Sequence, residues 1–140
     1  MLKIASFAVN HNILNEGFYL SREDGDIFTY DMRFKKPNNG DYLSASAMHT
    51  IEHLLATALR NGSKKENVIY FGPMGCRTGF YVLFRTVELA EAKTLVKYAI
   101  ETALTMNTIP GNKKIECGNF RSHNLNLAKT ELSKYLLYLS

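Results

Sequence analysis

The sequence predicts an α+β fold, an antiparallel sheet with helices packed on one face as a two-layer sandwich, and three features lead there. The stretch "IFTYDMRF" alternates apolar and polar side chains with the period of a strand buried on one face. Residues 47–62, "AMHTIEHLLATALRNG", place Met48, Ile51, Leu55 and Leu59 on one helical stripe. Along the chain the order is strands, helix, strands, helix, helix. The 140 residues suit one domain, 1–140, with a core of ordinary size.

The first third is expected to form strands over residues 2–9, 17–22 and 26–35, separated by "NHN", "REDGD" and "KKPNNGD", whose Gly, Asn, Asp and Pro suit turns. In the third of these strands Phe28, Tyr30, Met32 and Phe34 share one face, and Asp31 and Arg33 share the other. That second face is either a solvated surface or the wall of a polar pocket. Helix one should start at Ser44 or Ser46 as N-cap and stop at Asn61–Gly62. "NVIYF" and "TGFYVLFRTVE" follow as strands around a tight "GPMGCR" turn. A second helix is expected over 88–106, through Leu89, Ala92, Leu95 or Val96, Ala99 and Ala103. After a Pro110–Gly111 break and the extended "KKIECGNF", residues 122–140 should form a third helix packing through Leu125, Ala128, Leu132 and Leu136.

Composition narrows the function. Hydrophobic residues make up 46% and charged residues 21%, which suits an ordinary globular protein rather than a disordered chain. The net charge of +4 comes from lysines and arginines that are scattered rather than gathered into a stripe with aromatics, so no nucleic-acid partner is expected. No stretch reaches the roughly 20 apolar residues of a membrane helix, and the N-terminus does not resemble a signal peptide. A cytoplasmic location is expected, where thiols stay reduced. Cys76 and Cys117 are then free for ligation or chemistry rather than for a disulfide.

His49 and His53 are four residues apart and rise from one face of helix one, about a turn apart, close enough to hold one ion. Glu52 lies beside them, placed to carry a proton. The H-x-x-E-H order is that of inverted zinc peptidases. A catalytic divalent cation typically takes three protein ligands and leaves one position open. Cys117, followed by Gly118 in a loop between helices, can be the third. Cys76, displayed by the glycine-dense "FGPMGCRTGFY", is then either an acid/base group or the fourth ligand of a closed Cys₂His₂ zinc site in a structural module. His11 and His123, each alone in a turn or at a helix start, read from their surroundings as structural. A metallopeptidase would need a further glutamate ligand, for which Glu88, Glu91 and Glu101 on the next helix are the only candidates.

"HTIEHLL", "GPMGCRTGFY" and "ECGNF", in this order, closely resemble S-ribosylhomocysteine lyase, the LuxS family of autoinducer synthases. "SFAVNH", "YDMRFKKPN" and the H-x-L-x-x-A-K beginning at His123 extend the resemblance over almost the whole chain. It implies a carbon–sulfur lyase that cleaves S-ribosylhomocysteine to homocysteine and 4,5-dihydroxy-2,3-pentanedione. His49, His53 and Cys117 resemble the family's metal ligands, Glu52 and Cys76 its acid/base residues, and Ser6, His11 and Arg33 the residues that hold substrate. One divalent metal per subunit is implied, Fe²⁺ in the cell with Zn²⁺ or Co²⁺ as alternatives, in a homodimer with sites at the subunit interface. Two departures are visible: "VIYFG" places Tyr70 and Phe71 where many members have an acidic or tryptophan-containing stretch, and the proline that often follows His11 is missing.

Overall fold

A computed structural model describes residues 1–140. Its elements run α1 (Ala5–Ala8), β1 (Gly17–Asp24), β2 (Ile27–Arg33), α2 (Ala45–Arg60), a 3₁₀ turn (Lys65–Asn67), β3 (Val68–Pro73), β4 (Gly79–Arg85), α3 (Leu89–Leu104) and α4 (Leu125–Leu136). The four strands form one antiparallel sheet in the order β1-β2-β4-β3. The expected α+β class is therefore what the chain adopts.

Alternation decides which side of the sheet is buried. Tyr30 and Met32 on β2 and Phe80, Val82 and Phe84 on β4 are fully buried, while Tyr81 and Leu83 between them face the other way. The buried row meets Ile51, Leu54 and Leu55 of α2, Val96 and Ile100 of α3, and Leu132 and Tyr135 of α4 in one core. Burying each large apolar side chain contributes roughly 1.5–3 kcal/mol. Gly79 sits where β4 approaches β2 so closely that a Cβ would overlap the Met32 carbonyl, so only glycine fits.

The caps follow the sequence with one consequential difference. Ser44 Oγ accepts a hydrogen bond from Ala47 N at 3.1 Å, and α2 ends at Asn61. The last helix is expected from residue 122, but Asn124 Oδ1 caps it through Leu127 N at 3.0 Å, so it begins at Leu125. A capping side chain needs a non-helical backbone, and Asn124 (φ −152°, ψ 94°) has one. Ser122 and His123 are thus left outside the helix.

The strand expected over residues 2–9 is not formed. The segment contains only the single helical turn of α1, closed by Phe7 N donating to Ile4 O at 3.1 Å. Alternation selects a strand only when one face becomes buried, and here Leu2, Ile4, Phe7 and Val9 all stay exposed, Leu2 at 94%. This segment crosses the face opposite the three long helices, where Ser6 lines a cavity with Thr29, Tyr81 and Leu83.

Candidate active site

The first turns of α2 carry one half of the site. His49, His53, Cys117 and His123 gather with one ligand atom of each within 4.8 Å of all the others. Cys117 Sγ lies 3.3 Å from His49 Nε2, 3.9 Å from His53 Nε2 and 3.9 Å from His123 Nε2. Around one tetrahedral ion with metal–nitrogen bonds of about 2.1 Å and a metal–sulfur bond of about 2.3 Å, the N···S edge would be about 3.6 Å. The observed separations bracket that value, so the donor set fits a divalent cation.

Backbone carbonyls orient two of these imidazoles. His49 Nδ1 lies 2.7 Å from Ser122 O, and His53 Nδ1 lies 2.9 Å from Pro110 O. A carbonyl only accepts, so each ring carries its proton on Nδ1 and leaves a bare Nε2 lone pair toward Cys117. Gly111, with φ +70°, supports the second contact: it turns the chain just after Pro110, and a Cβ there would meet His53 Nδ1 at 3.3 Å. The two rings stand nearly perpendicular, at 83°.

His123 arrives from the segment that the Asn124 cap leaves outside α4. Its ring stacks on His49 with centroids 4.0 Å apart, and its Nδ1 lies 2.9 Å from Thr50 Oγ1. Burial, then the neighbouring His49 and His53, hold its pKa below the ordinary 6.5, favouring the neutral ring. The reading of His123 as an isolated structural residue is overturned by this position. Its only sequence signal was its place six residues after Cys117 and just before a helix cap.

Cys76 is not in the cluster. It is exposed on the turn between β3 and β4, where Arg77 adopts φ +63° and Met74 N donates to Gly79 O. Its sulfur is 3.0 Å from Thr78 Oγ1, which accepts from Arg33 Nη1 at 2.8 Å; Arg33 in turn grips Asp31 through Nη2 at 2.6 Å and Nε at 3.1 Å. The Asp31/Arg33 face of β2 is thus neither solvated nor empty, since both residues are at most 4% exposed. A cavity of about 240 Å³ joins Cys76 to His11, Asn38, Tyr42 and Thr78. A second, of about 280 Å³, runs from His49 and Glu52 to Met74 and Gly75 on the Cys76 turn. Arg77 lines both.

Glu52 also borders a third cavity with His53, Tyr70, Phe71 and Pro110, which puts Tyr70 and Phe71 in the pocket wall. Ser6 and His11 are not brought together: Ser6 lines a cavity with Tyr81 on the outer sheet face, while His11 Nδ1 lies 2.8 Å from Val9 O beside the Cys76 cavity. An apolar cleft between α2 and α3, lined by Leu59, Leu95 and Tyr98, has no part in this arrangement.

A model of the family described as LuxS, S-ribosylhomocysteinase, matches residues 4–138. The chain belongs to the LuxS family. Its similar relatives include a protein named S-ribosylhomocysteine lyase from Borreliella burgdorferi (strain ZS7), 46% identical with 100% of this chain and 94% of the relative covered. Proteins of the same name from Desulfotalea psychrophila (46% identical, 96% and 89% covered) and Finegoldia magna (43%, 97% and 90%) are also similar. For a LuxS protein, the cluster on α2 is a site for one divalent metal ion. The rival ligand sets fare differently: Cys76 stays out of the cluster, so a closed Cys₂His₂ site is not formed, and none of Glu88, Glu91 and Glu101 joins it.

Proposed function

We propose that this LuxS protein is an S-ribosylhomocysteine lyase that releases homocysteine and 4,5-dihydroxy-2,3-pentanedione by carbonyl migration and β-elimination. The observation that carries the reading is the division of the two thiols: Cys117 lies among the imidazoles and Cys76 outside them, so one sulfur is available for metal and the other for protons. A thioether beside an ordinary sugar carbon does not leave. Once the ribose carbonyl has moved from C1 to C3, the C4 proton is acidic, and its removal expels the homocysteine thiolate from C5.

His49, His53 and Cys117 would hold the cation, leaving a position for water or substrate. When bound, the ion supplies a fixed positive charge that polarises the sugar oxygens. The protein's own part is to lift protons from one carbon and return them to the next. Glu52 and Cys76 suit that task because the cavity from His49 and Glu52 reaches Met74 and Gly75 on the turn that presents Cys76, and Cys76 opens onto the neighbouring cavity, with Arg77 lining both. Arg33, through Thr78, positions the Cys76 sulfur. Ser6, His11 and Arg33 are read as substrate-holding residues, as in the resemblance.

Iron(II) is proposed as the cellular ion; two imidazoles and one thiolate accept zinc or cobalt as well. We read the working unit as a homodimer. Support comes from the N-terminal segment, where Met1, Leu2, Ile4, Phe7 and Ile13 form an exposed apolar run next to the Ser6 and His11 surfaces. A cytoplasmic setting agrees with two free thiols, and no helix is long and apolar enough to cross a membrane. The decisive assay loads anaerobically purified protein with iron, adds S-ribosylhomocysteine and follows free thiol. Stoichiometric thiol release is expected; a metal-loaded protein that releases none would overturn the reading.

A further inference from the structure

We propose that His123 serves the metal centre not as a fourth ligand but as an N–H donor to the Cys117 sulfur, with the Thr50 hydroxyl fixing the ring proton on Nε2. The inference rests on the metal-site reading above and assigns a role to the one member of the cluster that reading leaves without one.

The argument is a count of protons around Thr50. This side chain is fully buried, and its Oγ1 has two partners: Asn124 N at 2.9 Å and His123 Nδ1 at 2.9 Å. The Asn124 amide can only donate, so the hydroxyl accepts there. Its own hydrogen must then go elsewhere. Threonines in these helices often turn it back to the carbonyl four residues earlier, as Thr94 does to Ala90 and Thr130 to Asn126, but Thr50 makes no such bond. His123 Nδ1 is the acceptor left. An imidazole that accepts at Nδ1 carries its proton on Nε2, and that Nε2 lies 3.9 Å from Cys117 Sγ.

His49 and His53 have the opposite arrangement, since carbonyls take their Nδ1 protons and bare their Nε2 lone pairs. Ring orientation agrees independently. A ligated ion lies in the plane of its imidazole, and the planes of His49 and His53, 83° apart, can meet at one point near both nitrogens. His123 stacks on His49 only 22° from parallel. Two face-to-face rings direct their in-plane lone pairs side by side, so they do not converge on one ion about 2 Å from each nitrogen. An N–H aimed at a ligating sulfur spreads the thiolate's charge and holds the side chain in place, a task of groups just outside a metal's ligand shell.

The test uses the full-length chain loaded with zinc and labelled with ¹⁵N histidine. Long-range proton–nitrogen correlation should show His123 as the Nε2–H tautomer, with His49 and His53 as Nδ1–H rings whose Nε2 signals move on zinc addition. A zinc-shifted His123 Nε2, or a proton on its Nδ1, would overturn the proposal. Failure of His49 and His53 to respond to zinc would instead sink the metal-site reading. Cobalt-loaded variants add a second readout. His123→Ala should keep one cobalt per chain, weaken its binding by roughly 10- to 100-fold, and shift the sulfur-to-cobalt charge-transfer band to lower energy. His123→Gln, whose amide restores an N–H, should bring the band back toward its original position. A band unmoved in His123→Ala, or loss of one imidazole from the cobalt coordination in that variant, counts against the assignment.

Discussion

The two cysteines of this chain have the same side chain and opposite surroundings. Cys117 sits half-buried among three imidazoles, two of them aimed by main-chain carbonyls from the connection between α3 and α4. Cys76 is exposed on a strained turn, and only side chains stand behind it: Thr78, then Arg33, then Asp31. Main-chain contacts aim two imidazoles at the Cys117 sulfur, as the proposed grip on a cation needs, whereas the side chains behind Cys76 leave its sulfur exposed, as the proposed exchange of protons needs. The difference in scaffolding separates holding from transferring.

Exchanging the two thiols for alanine tests this contrast most strongly. Cys76→Ala should retain one metal per chain while thiol release falls by roughly 10²–10⁴-fold, the usual contribution of a positioned acid/base. Cys117→Ala should lose its metal as well, measured by elemental analysis of the purified protein. Metal loss from the Cys76 variant would erase the distinction.

Next in size is the support behind Cys76. Arg33→Ala leaves the Asp31 carboxylate buried beside no cation, and chemical denaturation should show a loss of roughly 3–5 kcal/mol. Thr78→Val removes one hydroxyl from the same chain and should cost about 1–3 kcal/mol of stability by stranding an Arg33 N–H. Because it also frees the Cys76 sulfur, thiol release should drop about tenfold with metal content unchanged.

The smallest expected effect comes from an ion pair whose side chains bond neither cysteine, and it calibrates the others. Lys35 Nζ lies 2.8 Å from Glu131 and 3.3 Å from Asp41. Burial pulls its pKa down, but the hydrogen bonds and charges of Glu131 and Asp41 outweigh that, so the net shift is upward from 10.5. A pKa raised on folding stabilises the protein fully below the unfolded value and loses that contribution as pH rises through the folded one. The melting-temperature gap between the parent protein and Glu131→Gln should therefore be flat through neutral pH and narrow above about pH 10.5. Metal content should stay the same throughout.

Much of the sheet and helix layer was legible because its signals are local. Period-two alternation in β2 and β4, the α2 stripe with its Ser44 cap, and the four-residue spacing of His49 and His53 each need only neighbouring residues. Cys117 and Cys76 could be named as chemistry-bearing groups from their glycine neighbours, although the residues alone left both a shared zinc site and separate roles open. What was not legible depended on distant partners. His123 reads as a lone imidazole until the Asn124 cap starts α4 just after it and Thr50, 73 positions away, meets its ring. Residues 2–9 have the composition of a strand, but no face of them is buried within the chain, and burial is what selects pairing. The burial of Arg33 was not legible either, because it depends on Thr78, 45 positions away, as well as on Asp31 of its own strand.

The stretch between α3 and α4 has little regular structure of its own, and it is moored to α2 by Ser122, Pro110 and Cys117 meeting two imidazoles. An ion that grips those imidazoles and that thiol together binds the native chain and not the unfolded one, so occupancy adds directly to stability. Cellular metal supply would then govern how long each molecule survives proteolysis as well as how fast it turns over.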